Sequence, residues 1–250
     1  MRRYRACVAL LGLVLVAGCG GGPGSAAPSA PPTSPAPDHI AAVQDSVKLV
    51  YAERAFTMEV RLRLDGDLVS RVTVDTDLDA DAMQGTMESA DGKTRMVRIG
   101  DEVFVASDPK KQNAWLRIDL DKLSATSPLR ASLDVNAQWG ILAGLVSIDE
   151  QAGVLYGGTV DLKKAVDAAT SASEKAALQR VADFAQNPSA VPLSADLDLA
   201  GRLVRMSYTV QTTEGEVYTS LTVTAPAKLS IKAPNPRSVT EATAAHYRLL

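Results

Sequence analysis

From residue 56 the chain alternates between apolar and polar positions. Phe56, Met58, Val60, Leu62 and Leu64 are interleaved with Thr57, Glu59, Arg61 and Arg63, the period-two pattern of a strand with one buried and one solvated face. Asp65-Gly66-Asp67 supplies a turn, after which Leu68, Val72, Val74 and Leu78 alternate with Arg71, Thr73, Asp75, Asp77 and Asp79. Further strands are predicted over 82–90, 94–100, 102–107 and 114–120, parted by Asp91-Gly92, Gly100-Asp101 and Asp108-Pro109. Ahead of them, Ile40, Val43, Val47, Val50 and Tyr51 keep helical spacing behind Asp38, a suitable N-cap, so a first helix is predicted over 39–52.

The middle of the chain changes period. Ser127-Pro128 is a helix entry with Pro at the first helical position. It leads into a mostly apolar helix predicted over 129–146 and interrupted by Gly140 and Gly144. A strand over 154–161 precedes helices over 162–170 and 173–186, or one helix broken at Thr170-Ser171, stopped by Asn187-Pro188. Alternation returns at 193–199, 203–212 and 217–225, with a short last strand over 228–232. The predicted class is α+β, with a meander of about ten to eleven antiparallel strands. One sheet of that size curls. The economical solution is an incomplete antiparallel β-barrel with helices covering the concave face.

The amino terminus carries a different signal. Met1 to Arg5 is basic, and Ala6 to Val16 is apolar but too short to span a bilayer, which takes roughly 20 residues. The run ends in Leu15-Val16-Ala17-Gly18-Cys19. Small residues directly before a cysteine resemble the lipobox of bacterial lipoproteins, and the resemblance implies cleavage after Gly18 and acylation of Cys19; the alternative is an ordinary secretory signal with an incidental cysteine. Residues 20–37 are only Gly, Pro, Ser, Ala and Thr, a composition that cannot bury enough apolar surface to fold. The organisation read from this is a signal peptide over 1–18, an acylated cysteine and disordered linker over 19–37, and a single folded domain over 38–250. The expected location is the extracytoplasmic face of the cell membrane, held there by the lipid anchor.

Composition narrows the chemistry. The 250 residues are 22% charged and 46% hydrophobic, with 4% aromatics, so any core rests on Val, Leu, Ile, Met and Ala. The formal charge is −3, or −6 without Arg2, Arg3 and Arg5, which argues against a nucleic-acid partner. Both cysteines, Cys7 and Cys19, precede the domain, so it is expected to hold no disulfide, thiol nucleophile or thiolate metal site. His39 and His246 stand near opposite ends of it, and neither a nucleophile elbow, a paired-histidine zinc motif nor a phosphate loop is present. Asp77, Asp79, Asp81 and Glu88 follow the spacing of the first, third, fifth and twelfth positions of a calcium loop, but Ala82 stands where that loop needs Gly. Alternate residues of a strand lie ~6.6 Å apart, too spread for one cage. The acidic residues read as a solvated face. No cofactor and no enzyme activity are implied.

Three ordered segments carry a family resemblance. Tyr156-Gly157-Gly158-Thr159-Val160-Asp161-Leu162, followed by Lys163-Lys164-Ala165, resembles the central strand-to-helix segment of LppX/LprG-like actinobacterial lipoproteins. Leu197-Asp198-Leu199-Ala200-Gly201-Arg202-Leu203-Val204-Arg205 resembles their later hairpin, and Trp115-Leu116-Arg117-Ile118-Asp119 sits where they carry a Trp after the early strands. Order and spacing agree over about 40–232, while Asp196 stands where many relatives carry a large aromatic. The resemblance implies a fold similar to the carriers LolA and LolB, with a hydrophobic cavity for acyl chains of envelope lipids or lipoglycans. A dry void costs roughly 24 cal/mol per Å3, which an acyl chain would offset, and flexible Met suits irregular apolar ligands. Met58, Val60, Leu62, Val72, Val74, Leu116 and Ile118 are the candidate wall residues. The same periodicity serves a fully packed core equally well. The expected function is a membrane-anchored lipoprotein that binds or transports lipid; the alternative is a non-catalytic scaffold module that binds an envelope protein partner.

Overall fold

Asp38 opens the folded chain as its spacing predicts: the carboxylate accepts the Ala41 N–H at 3.0 Å and starts α1, His39–Ala52, which buries Val43, Val47 and Val50. The computed structural model describes residues 38–106, 114–134, 138–226 and 228–248. The signal segment, Cys19 and the linker therefore lie outside the described residues. Six strands follow α1: β1 Ala55–Leu64, β2 Asp67–Asp77, β3 Ala82–Ser89, β4 Gly92–Ile99, β5 Glu102–Ala106 and β6 Trp115–Asp119. The first hairpin turns through Asp65 and Gly66, both at positive φ (49° and 90°), a conformation that Gly adopts freely and Asp tolerates.

A short helix α2, Pro128–Leu133, and a 3-10 turn, Gly140–Gly144, lead into β7 Leu145–Ala152 and β8 Leu155–Val160. Asp161 then caps α3, Leu162–Ala168, by accepting from the N–H groups of Lys163 and Lys164. Ser171 caps α4, Ala172–Phe184, by accepting from Glu174 N at 3.0 Å. That second cap separates two helices at Thr170-Ser171. Strands β9 Val191–Leu197, β10 Leu203–Thr212 and β11 Gly215–Thr224 complete the meander, and the C-terminal segment adds β12 Val239–Glu241 and α5 Ala244–Tyr247.

The twelve described strands form one curved sheet in the order β12-β6-β5-β4-β3-β2-β1-β11-β10-β9-β8-β7. Every pairing is antiparallel except β12 with β6. The two ends of that order do not pair, so the barrel is incomplete. Apolar side chains of α1, α3 and α4 pack with one face of β1 and β7–β11 in the larger core, which includes Val43, Phe56, Leu162, Leu178, Met206 and Leu221. A smaller core of Val103, Ile118, Leu120, Leu123 and Leu133 sits under β5, β6 and α2, with Ala242 and Tyr247 of the C-terminal segment packed on it.

Three elements differ from the sequence expectation. The helix predicted over 129–146 ends at Leu133, and its last residues are a 3-10 turn and the start of β7. Gly144 marks a close approach: a Cβ there would stand 2.4 Å from the Asp161 carbonyl oxygen, and the Gly144 carbonyl accepts the Asp161 N–H at 2.9 Å. Strand β7 escapes the period-two test because it is an edge strand with two register shifts, and only Leu145 and Ile148 reach the core. Residues 228–232 form no strand, since both sides of the preceding β11 are already taken by β1 and β10. The chain continues to β12 instead, which covers the edge of β6.

Candidate functional site

The face of the sheet turned toward the helices is not covered along its whole width. One cross-strand row runs Leu221, Val60, Val72, Met87 through consecutive strands β11, β1, β2 and β3. Leu221 is 2% exposed, Val60 and Val72 are half-buried, and Met87 is 44% exposed. The row thus leaves the larger core and emerges into solvent. One step along β1, Leu62 and Leu64 occupy the same face beside the end of α4.

There an apolar cleft of about 340 Å3 opens. Its floor is Leu62 and Leu64 of β1, Val217 and Thr219 of β11, and Tyr208 and Val210 of β10; Val181 and Phe184 of α4 form the roof. Phe184, the last residue of α4, is 71% exposed, an unusual state for a large aromatic. Polar groups stand only at the rim and on the floor, at Thr212, Thr213, Glu214, Thr219 and the phenol of Tyr208. Burial raises the Tyr208 phenol above its ordinary range, and its hydrogen bond with Thr219 opposes that shift.

The seven candidate wall residues separate by what covers them. Met58 lies inside the larger core and Ile118 inside the smaller one. Val74 is buried, Val60 packs against the larger core, and Leu116 packs against the smaller one. Val72 is half-buried in the emerging row, and Leu62 lines the cleft. Val181, Phe184, Tyr208, Val210 and Val217 also line it, although none was picked out from the sequence. Their signal was present as alternation in β10 and β11 and as the apolar end of α4, but nothing local says that these two features meet.

The polar groups that could support catalysis are dispersed or engaged in structure. His39 meets Tyr156 in a tilted ring contact with centroids 5.7 Å apart, while His246 Nδ1 accepts the Thr243 N–H in the cap of α5. Glu174 is buried and accepts from the N–H and hydroxyl of Thr170, closing the α3–α4 junction. Asp77 accepts from the N–H groups of Asp79 and Ala80 in a turn, Asp79 pairs with Arg54, and Asp81 pairs with Arg98. Among the described residues, no group of three or more His, Cys, Asp or Glu side chains is placed to hold a metal ion. No described helix is long and apolar enough to cross a membrane.

No family model matches the chain, and no curated protein matches it. Among solved structures it is similar to a conserved protein of Thermus thermophilus, at 10% identity and a TM-score of 0.40 over 80% of this chain and 97% of that one. It is also similar to the Pseudomonas aeruginosa MucA/MucB complex structure, at 14% identity and a TM-score of 0.29 over 74% of this chain and 59% of the other. The Mycobacterium tuberculosis lipoprotein LppX aligns at 16% identity and a TM-score of 0.45, over 77% of this chain and 97% of its own.

Proposed function

We propose that the chain is a non-catalytic envelope lipoprotein, anchored through an acylated Cys19 on the extracytoplasmic face of the membrane, that binds lipid or lipoglycan acyl chains on the inner face of its sheet. The observation that carries this reading is the open apolar cleft between Phe184 and Leu62, with half-buried Val60 and Val72 continuing it along the sheet. A site of about 340 Å3 falls at the small end of ligand pockets, which span roughly 300–1,000 Å3. It suits a segment of one acyl chain while a polar headgroup stays in water. Each methylene removed from water contributes ~0.8 kcal/mol. Met58 and Val74 act in this reading as the packed residues beside that wall, whereas Leu116 and Ile118 belong to the smaller core under β5 and β6 and take no part in it.

The test is native mass spectrometry of gently purified, non-acylated protein, paired with displacement of a fluorescent fatty acid. Co-purified lipid and probe binding are expected, with the probe weakened in Val181→Arg and in Phe184→Ala. Phe184 is exposed, so its truncation leaves the core intact. A clean apo protein that binds no probe overturns the reading. The same exposed Phe184 also favours a second reading, in which the cleft seats an apolar side chain of an envelope protein partner. A photo-crosslinking residue at position 184 that captures one protein, with no lipid found, would decide for it.

A further inference from the structure

We propose that the opposite face of the sheet carries a second, polar site, a groove that binds the phosphate monoester of a polyol. Strand alternation turns Thr57, Glu59, Arg61 and Arg63 of β1 away from the helices. Their cross-strand partners on β11 are Thr224, Thr222, Ser220 and Tyr218. With Thr73 of β2 and Arg205 of β10, these residues line a groove of about 580 Å3. The lining contains six hydroxyl groups, three guanidiniums and one carboxylate, and no aliphatic side chain. The fatty-acid cleft on the inner face shares none of these residues, so this site stands or falls independently of the proposed function.

The charge in the groove is unbalanced. Its lining has a surplus of two positive charges in a chain whose formal charge is −3. Glu59, the lone carboxylate of the lining, is taken by Arg61. Arg63 donates to the Gly66 carbonyl at 2.8 Å, a neutral acceptor. Arg205 Nη1 stands 3.7 Å from Asp196, beyond hydrogen-bond distance. Next to the groove, Arg71 lies directly across from Arg61 in the β1–β2 ladder. Its Nε is buried without a hydrogen-bond partner, 4.0 Å from the already engaged Glu59.

Like charges directly opposite each other in a ladder destabilise a sheet. Buried donors without partners do so too, and such local conflicts mark functional positions. An anion seated among Arg61, Arg63 and Arg205 relieves the first of these conflicts. A phosphate monoester carries about −1.5 to −2 charge at neutral pH, which matches the surplus of the lining. Arg205 reaches from one side of β11 and Arg61 and Arg63 from the other, the forked geometry that suits phosphate oxygens. The hydroxyls of Ser220, Thr222 and Thr224 supply both donors and acceptors, as a polyol requires, while Thr57 already donates to Asp75 at 2.6 Å and can only accept.

Titration calorimetry with glucose 6-phosphate, inorganic phosphate and glucose tests the site, alongside cosedimentation with phosphatidylcholine vesicles with and without phosphatidic acid. Glucose 6-phosphate is expected to bind, inorganic phosphate more weakly, and glucose not at all. In Arg63→Gln/Arg205→Gln the affinity should fall about tenfold or more, and in Glu59→Gln it should rise. Phe184→Ala should leave it unchanged. Binding to the soluble phosphate identifies a free sugar phosphate as the source. Sedimentation only with phosphatidic acid, abolished by the same double substitution, identifies a lipid headgroup. No binding in either arm, or binding that the double substitution leaves intact, overturns the proposal.

Discussion

The guanidinium of Arg202 closes on the carboxylate of Asp198, with Nε donating at 2.7 Å, across the turn that joins β9 to β10. The other oxygen of Asp198 accepts the N–H groups of Ala200 and Arg202, both at 2.9 Å. Gly201 takes φ +79°, and Arg202 also pairs with Glu53 just after α1. One carboxylate therefore shapes the turn and, through Arg202, ties it to a helix. Burial pushes Asp198 up, but the hydrogen bonds from Arg202 and Ala200 and the Arg202 charge hold its carboxyl below the usual range.

Asp198→Ala is expected to lower stability by roughly 1–2 kcal/mol in urea unfolding. Because the folded-state value is depressed, this contribution is fully present above the ordinary aspartate value of about 3.9. It is lost as pH falls through the folded one. The stability gap between variant and wild type should therefore shrink in acid.

Tyr247 accepts the Asp119 N–H through its hydroxyl at 2.9 Å, and its ring packs on the smaller core. Tyr247→Phe keeps the packing and strands that amide. A loss of about 1 kcal/mol is expected. Hydrogen exchange should show it first at Asp119, where the last described helix is fastened to β6.

The two glycines of β8 should respond differently to alanine. A Cβ on Gly158 would lie 2.0 Å from the Ser147 carbonyl oxygen and 2.8 Å from Ile148 Cα, so the β7–β8 pair must part. A Cβ on Gly157 meets the Gln151 side chain, whose far end can move. Gly158→Ala is expected to cost about 1–3 kcal/mol, and Gly157→Ala less, by thermal or urea unfolding.

Burial pushes the Tyr51 phenol up to about 12; the neighbouring Trp139 indole opposes the shift, and the charges of Asp134 and Glu174 add to it. Tyr208 is also raised. Ultraviolet titration should show two tyrosines ionising later than the rest. Since the folded state keeps these protons longer, stability should fall as pH rises from about 10 toward the folded value. Tyr51→Phe should flatten that fall.

The alternating segments were legible because burial on one face leaves a period of two. Phe56 to Leu64 and Leu203 to Thr212 fall where that period places them, and the caps at Asp38, Asp161 and Ser171 rest on contacts within four residues. Strand β7 was not legible, because an edge strand with two core residues has too little alternation to read. Strand β12 has three residues, and its partner β6 lies more than a hundred positions earlier.

What the chain dictated locally is the side of the sheet each residue takes: Met58 and Leu62 inward, Glu59 and Arg61 outward. What only the tertiary structure decided is the fate of residues that share a side. Met58 is sealed in the core and Leu62 lines an open cleft because α4 stops at Phe184 and leaves the strip beyond it uncovered. Periodicity reports which way a side chain faces. Coverage depends on where a segment more than a hundred residues away comes to rest.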